Sequence, residues 1–290
     1  MVFGQVLLVR SQYQPDCSSI IRLFADDTIL YSIVELTSDA EHLQSDLSAI
    51  ERWSTKWQMK FNPSKCFVMR ITRKRDPVVY KYKLMGQTLE SVLHYPYLGV
   101  ELSSKLDWSH HIDNKVNKAN QILGFLRRNL SNCPELIKEL AYKALVRPHL
   151  EYASPVWDPW MDKHIKQLEA VQRRSARFIK NCWARTPGTV TNLLNDFNWP
   201  PLQVRRKIAR LTLFHKAIQG ESAIELPSYI KGCNRQLRST HHNRFTELRP
   251  RTEAYRNSFY CRTIKEWNSL PNNVLDIEKT SLFQKTLRHV

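Results

Sequence analysis

Apolar positions along the chain change their period several times. Ile20–Phe24 is a short apolar run that predicts a strand, Ala25-Asp26-Asp27 interrupts it, and Thr28–Val34 predicts a second strand. Two such runs around a short polar break read as a hairpin with two acids at its tip. From Ser38 to Gln58 the spacing becomes helical, with Leu43, Leu47, Ile50, Trp53 and Trp57 on one face. Asn62-Pro63-Ser64 predicts a turn, and Cys66–Thr72, Thr88–Leu93 and Tyr97–Leu102 predict further short strands. The first fifteen residues show no clear period.

Beyond Trp108 the pattern is helical nearly throughout. Val116, Ala119, Ile122, Leu123, Leu126 and Leu130 form one stripe. Leu136, Leu140, Ala144 and Leu145 form another, which Pro148 is expected to stop. The rigid aromatic stretch Pro155–Trp160 is a candidate boundary. Ile165, Leu168, Val171, Ser175 and Phe178 line the next helix, and Val204, Ile208, Leu211 and Ile218 a further one. Residues 231–262 are polar, basic and weakly periodic, and read as an extended loop; Thr263–Leu270 follows as a last helical segment before Pro271. The fold class is α+β: a small, mostly antiparallel sheet with a packed helix, then a mainly α-helical remainder.

Composition sharpens this picture. The 290 residues carry 44 Lys+Arg against 27 Asp+Glu, a net charge of +17. Residues 1–109 account for +1 of this and residues 110–290 for +16. Such asymmetry points to a polyanionic partner, RNA or DNA, for the C-terminal part, because neutralised phosphates release counterions. Seven glycines, no two within ten positions, exclude the clustered glycines of dinucleotide and Walker-type phosphate loops. No small-molecule cofactor is expected. No apolar run approaches a membrane span, and Val6–Val9 is too short for a secretory signal. The six cysteines contain no CxxC pair, which fits reduced thiols in an intracellular, nuclear or cytoplasmic, protein.

The sharpest constellation is Leu23-Phe24-Ala25-Asp26-Asp27-Thr28. Adjacent carboxylates at a hairpin tip are half of a divalent-metal site, and oxygen ligands suit Mg²⁺. Phe-Ala-Asp-Asp between apolar strands, an amphipathic helix, Asn62-Pro63-Ser64-Lys65 and Tyr97-Leu98-Gly99-Val100 follow in that order. Together they resemble the reverse transcriptases of non-LTR retrotransposons. Leu168–Arg174 and Arg262–Pro271 are similar to phrases that follow the polymerase in such elements. The resemblance covers roughly residues 20–290.

It implies an RNA-directed DNA polymerase using Mg²⁺: a partial palm at 1–108, a helical thumb at 109–158 and a basic helical extension at 159–290. Asp26 and Asp27 would hold catalytic metal. Leu98 and Gly99 would form the primer grip, the glycine allowing close backbone approach. Lys65 either approaches the departing pyrophosphate as an acid or is an ordinary surface lysine. In this family a further catalytic aspartate lies well upstream. Only 25 residues precede Asp26 here, and Asp16, their one carboxylate, has no matching context. The expectation is a truncated transposable-element polymerase that binds nucleic acid without catalysing alone. The alternative is a non-enzymatic nucleic-acid-binding or interaction protein co-opted from that ancestor.

Arg173, Arg174 and Arg177, with Lys180, share an arc of one helix, and Arg205, Arg206 and Arg210 an arc of another. Arginine meets phosphate bidentately, so both arcs are candidate nucleic-acid contacts. Cys233, His241, His242 and Cys261 offer zinc-ligand types without the tight spacing of structural zinc sites.

Overall fold

In the computed structural model, described for residues 2–5, 18–25, 27–58, 61–72, 74–184, 186–233 and 241–289, the short apolar runs of the N-terminal part contribute to a five-stranded sheet. Its strands are β1 (Val2–Gln5), β2 (Ile20–Phe24), β3 (Asp27–Tyr31), β4 (Phe67–Val68) and, beyond the small hairpin β5 (Lys83–Leu84) and β6 (Gln87–Thr88), β7 (Glu90–Ser91). The order is β2-β3-β1-β4-β7, antiparallel except between β4 and β7. β8 (His94–Tyr97) and β9 (Val100–Ser103) form a separate antiparallel hairpin.

Between β3 and β4 runs α1 (Thr37–Lys56), followed by a 3-10 turn at Pro63–Lys65. The α1 stripe Ala40, Leu43, Leu47 and Ile50 packs on Ile21, Leu30 and Val68. The opposite pleat, Ile29 with Met69, packs with Tyr95, Tyr97 and Leu102 of β8–β9. The sheet is therefore covered on both faces, as side chains alternating along a strand require.

The remaining elements are α2 (Ser109–Asn129), α3 (Glu135–Ala141), α4 (Arg147–Glu151), α5 (Ser154–Trp157), α6 (Asp162–Ile179), α7 (Thr189–Asp196), α8 (Leu202–Ile218), α9 (Glu253–Arg256), α10 (Phe259–Asn268), α11 (Asn272–Leu275) and α12 (Thr280–Thr286). The α+β class stands. The chain divides into two compact units, residues 1–111 and 112–290. In the second, Leu211 and Phe214 of α8, Ile264 and Trp267 of α10, Val274 and Leu275 of α11, and Phe283 of α12 share one core. Among the described residues no helix is long and apolar enough to cross a membrane.

Several sequence expectations need correction. The run Tyr97–Leu102 is not one strand: Leu98 and Gly99 turn between Tyr97 and Val100, with φ of 47° and 77°. Two central residues at positive φ match the twist of a two-residue hairpin, and the glycine makes that turn cheap. Of Cys66–Thr72 only Phe67–Val68 is strand, and Val2–Gln5, which had no legible period, lies between β3 and β4. Pro148 does not stop its helix. A π-turn at Tyr142–Val146 precedes it, and Pro148 enters the first turn of α4, where no N–H is needed. The stretch 231–262 is an extended loop only in part, because it includes α9 and the start of α10. Apart from these corrections, in the stretch Pro155–Trp160 Trp157 is fully buried and donates from Nε1 to the Tyr152 carbonyl at 2.8 Å.

Candidate active site and nucleic-acid interface

The β2–β3 hairpin closes with Phe24 opposite Asp27, and Ala25 in its turn has a φ of 51°. Asp26 lies outside the described residues. Asp27, the first residue of β3, is half-buried. Its carboxylate acts on two phenols of β8. Burial pushes the Tyr95 hydroxyl up, and the negative charge of Asp27 pushes it further. The same two causes, in the same order, raise Tyr97. Tyr97 immediately precedes the Leu98-Gly99 turn. Tyr95 and Tyr97 also pack with Ile29, two residues along β3 from Asp27, so the acidic hairpin and the hairpin expected to grip a primer lie together in the first unit. Phe67 fills the space beside them, its ring 5.7 Å from that of Tyr95.

The sequence reading does not single out Tyr95 and Tyr97 beside Asp27. Their signal was available, since residues two apart on a strand share a face. What the sequence could not supply was which face meets Asp27.

Lys65 ends the 3-10 turn. Asn62 caps this turn by accepting from the Ser64 N–H at 3.1 Å, and the Asn62 carbonyl accepts from the Lys65 N–H at 3.0 Å. The Lys65 side chain is exposed, and among the described residues no hydrogen bond or ion pair joins it to Asp27. Nor do the described residues hold a group of three metal-ligating side chains at this tip. Asp27 offers a hard oxygen donor of the kind Mg²⁺ prefers, but one carboxylate does not make a site.

The basic helices divide sharply. On α6, Arg173 and Arg174 are exposed and Arg177 half-buried. Arg174 donates to Asn120 Oδ1 of α2 at 2.9 Å and to the Ala170 carbonyl at 3.1 Å, while Arg177 donates to the Ala184 carbonyl. Lys180 is held by Glu135 at 2.7 Å.

The expectation for α8 is corrected. Arg206 and Arg210 are buried, at 0% and 1% exposure, and do not form a solvent-facing arc. Both donate to the buried Asp158, and Arg210 also pairs with Glu266. Arg205 is spent on Glu151. The physical reason is that α8 is covered from several sides by α5, α6, α10 and α12, so arginines beside its apolar stripe also point into protein. The buried acid Asp158 is what admits them, because a buried cation needs a partner.

The zinc-ligand types do not assemble as four. His241 and His242 stack at 4.4 Å, and His241 Nε2 lies 2.9 Å from Asp276 Oδ1. The only group of three possible ligands among the described residues is His241, His242 and Asp276, without Cys233 or Cys261. The Nδ1 of His241 accepts from the Asn243 N–H at 3.2 Å, which leaves Nε2 carrying the proton toward Asp276. That tautomer makes the pair a polar clamp between a loop and the end of α11.

These features define an α+β chain with an acidic hairpin beside a second tight hairpin, followed by a basic helical unit. Comparison with known proteins finds several to which the chain is similar. The chain is 29% identical over 186 residues to a probable RNA-directed DNA polymerase from the transposon X-element of Drosophila melanogaster; the match covers 58% of this chain and 19% of that protein. It is 24% identical over 200 residues to a probable RNA-directed DNA polymerase from transposon BS of Drosophila melanogaster, covering 66% and 22%. It is 30% identical over 173 residues to an RNA-directed DNA polymerase from the mobile element jockey of Drosophila funebris, covering 55% and 18%. The chain is related to the RNA-directed DNA polymerases of non-LTR retrotransposons. The matched segments span about a fifth of the length of these relatives. No family model matches the chain, and no solved structure matches it.

Proposed function

We propose that this chain is the part of a non-LTR retrotransposon reverse transcriptase that runs from the acidic palm hairpin into the thumb and the basic helical region. On its own it binds RNA and DNA without extending a primer. The observation that carries this reading is the convergence of Asp27 with Tyr97 and the Leu98-Gly99 turn. An acid that serves metal must lie close to the backbone that holds a primer end. The basic second unit supports the binding, with Arg173, Arg174 and Arg177 on its surface.

Asp27, with Asp26, would contribute oxygen ligands to Mg²⁺, which would supply activation of the primer hydroxyl and stabilisation of the departing oxygen. Tyr95 and Tyr97, kept protonated by burial and by Asp27, shape the pocket around the acid.

The test is direct. The purified chain is incubated with a primed RNA template, deoxynucleotides and Mg²⁺, and binding is read in the same samples by fluorescence anisotropy. The expected result is retention of the primer–template with no extension. Extension that disappears in Asp27→Ala would overturn the non-catalytic part of the reading, and absence of retention at low salt would overturn the binding part.

A further inference from the structure

In the second unit, α2 and α6 run side by side in the same direction. Gln167 of α6 donates to Asp113 of α2 at 3.0 Å, and seven residues on, Arg174 donates to Asn120 at 2.9 Å. A constant offset at two points seven residues apart is what parallel helices in register give. One heptad further along α2, Arg127 lies over the ring of Trp183, 4.7 Å from its centroid, in the loop after α6. Arg177 joins the same place by donating to the carbonyl of the neighbouring Ala184.

The C-terminal ends of both helices and the Trp183 loop therefore build one continuous surface. Trp183 is 49% exposed although it is the largest side chain available for burial. Its Nε1 is fixed on Asn181 Oδ1 at 3.2 Å and Arg127 lies over its ring, so the indole is held in place while much of it faces solvent. Beside it, Gly124 shares the α2 face with Asn120 and Arg127. A Cβ added there would meet only Arg128 Nη1, at 3.6 Å, so the surface is open to a close-lying backbone.

We propose that this surface is a binding site for single-stranded RNA or DNA: an unpaired base stacks on Trp183 while the adjoining phosphates lie on Arg127, Arg174 and Arg177. The inference rests on the nucleic-acid-binding reading above and adds to it a preferred form, a strand with unpaired bases. Fixed aromatic planes beside cations are what sequence-tolerant single-strand sites use, because every base has a face and every linkage a charge. A blunt duplex offers the phosphates but keeps its bases stacked within itself.

The full chain is titrated by anisotropy with three probes of equal length: a single-stranded oligonucleotide, the blunt duplex of the same sequence, and a single strand with abasic positions. Trp183→Ala should weaken binding of the normal strand about tenfold. It should leave the duplex and the abasic strand unchanged, and Trp183→Tyr should restore most of the loss. Arg174→Gln with Arg177→Gln should weaken all three probes. Equal affinity of Trp183→Ala and the unaltered chain for the normal strand would overturn the site while leaving nucleic-acid binding intact. So would an equal loss on the abasic strand, or no recovery in Trp183→Tyr. If the unaltered chain binds none of the three probes at low salt, the underlying reading fails with it.

Discussion

Arg206 donates from Nε to Oδ1 of Asp158 at 2.9 Å, and both side chains are at least 97% buried. Asp158 also receives Arg210 and Arg262, and Glu266 takes the other arms of these two, so three guanidiniums face two carboxylates. Burial and the neighbouring Arg210 charge pull the pKa of Arg262 below its ordinary value. Both Nη atoms of Arg206 are buried without a hydrogen-bond partner among the described residues. The cluster joins the residue after α5 to α8 and α10, and it carries one positive charge too many.

This excess predicts an asymmetry. Asp158→Ala leaves buried cations without their shared acceptor and should cost about 3–5 kcal/mol. Arg206→Met leaves two arginines for two acids and should cost much less, below about 2 kcal/mol. Urea midpoints of the two variants measure the difference. Equal losses would contradict the view that the cluster carries one cation in excess.

Asp46 of α1 supplies a pH-dependent counterpart in the first unit. Its carboxylate accepts from the Ser18 N–H and hydroxyl at 3.2 and 3.0 Å and from the Ser19 N–H at 2.8 Å. Burial by itself raises its pKa, but the bonds from Ser19 and Ser18 together outweigh it, and the net shift is downward. A depressed acid stabilises the fold above its unfolded pKa and loses that contribution as pH falls through the folded value. Asp46→Ala should therefore be destabilised by about 2 kcal/mol at pH 7. Its deficit relative to the unaltered chain should shrink as pH drops below about 4. A deficit independent of pH would mean that packing, not charge, holds Ser18 and Ser19.

The turn between β8 and β9 is the third test. Gly99 sits at φ 77°, where a side chain is strained, and Asn tolerates that region better than Ala. Gly99→Ala should cost about 1–2 kcal/mol and Gly99→Asn distinctly less, read from thermal midpoints. Equal costs would locate the requirement in space beside the glycine instead of in its backbone.

Much of the first unit was legible because its signals are local. The short apolar run at Ile20–Phe24, the period of 3.6 through Leu43, Leu47 and Ile50, and the Asn62-Pro63 punctuation each state an element without reference to the rest of the chain. The turn at Leu98-Gly99 was not legible because Leu is an unusual occupant of positive φ, and its apolar character made the flanking strands look continuous. The α8 arginines show the other limit. Arg205, Arg206 and Arg210 follow a surface pattern in sequence, and only the partners brought by Asp158, Glu151 and Glu266 reveal that they are consumed inside the fold. Trp183 and Arg127, 56 positions apart, carried no joint signal at all.

The basic surface of α6, and not the arginines of α8, is the centre of the binding account, and its salt dependence tests it most directly. The affinity for duplex DNA is measured from low to moderate salt for the unaltered chain and for Arg173→Gln, Arg174→Gln and Arg177→Gln combined. A charge-removal control combines Arg249→Gln and Arg251→Gln at exposed positions elsewhere in the same unit. Each lost phosphate contact removes about 0.9 from the log–log slope, so the α6 variant should be flatter by up to about 2.7. The control should keep the slope of the unaltered chain. An unchanged slope in the α6 variant, or an equal flattening in the control, would contradict the account and make the basic excess a general property of the surface.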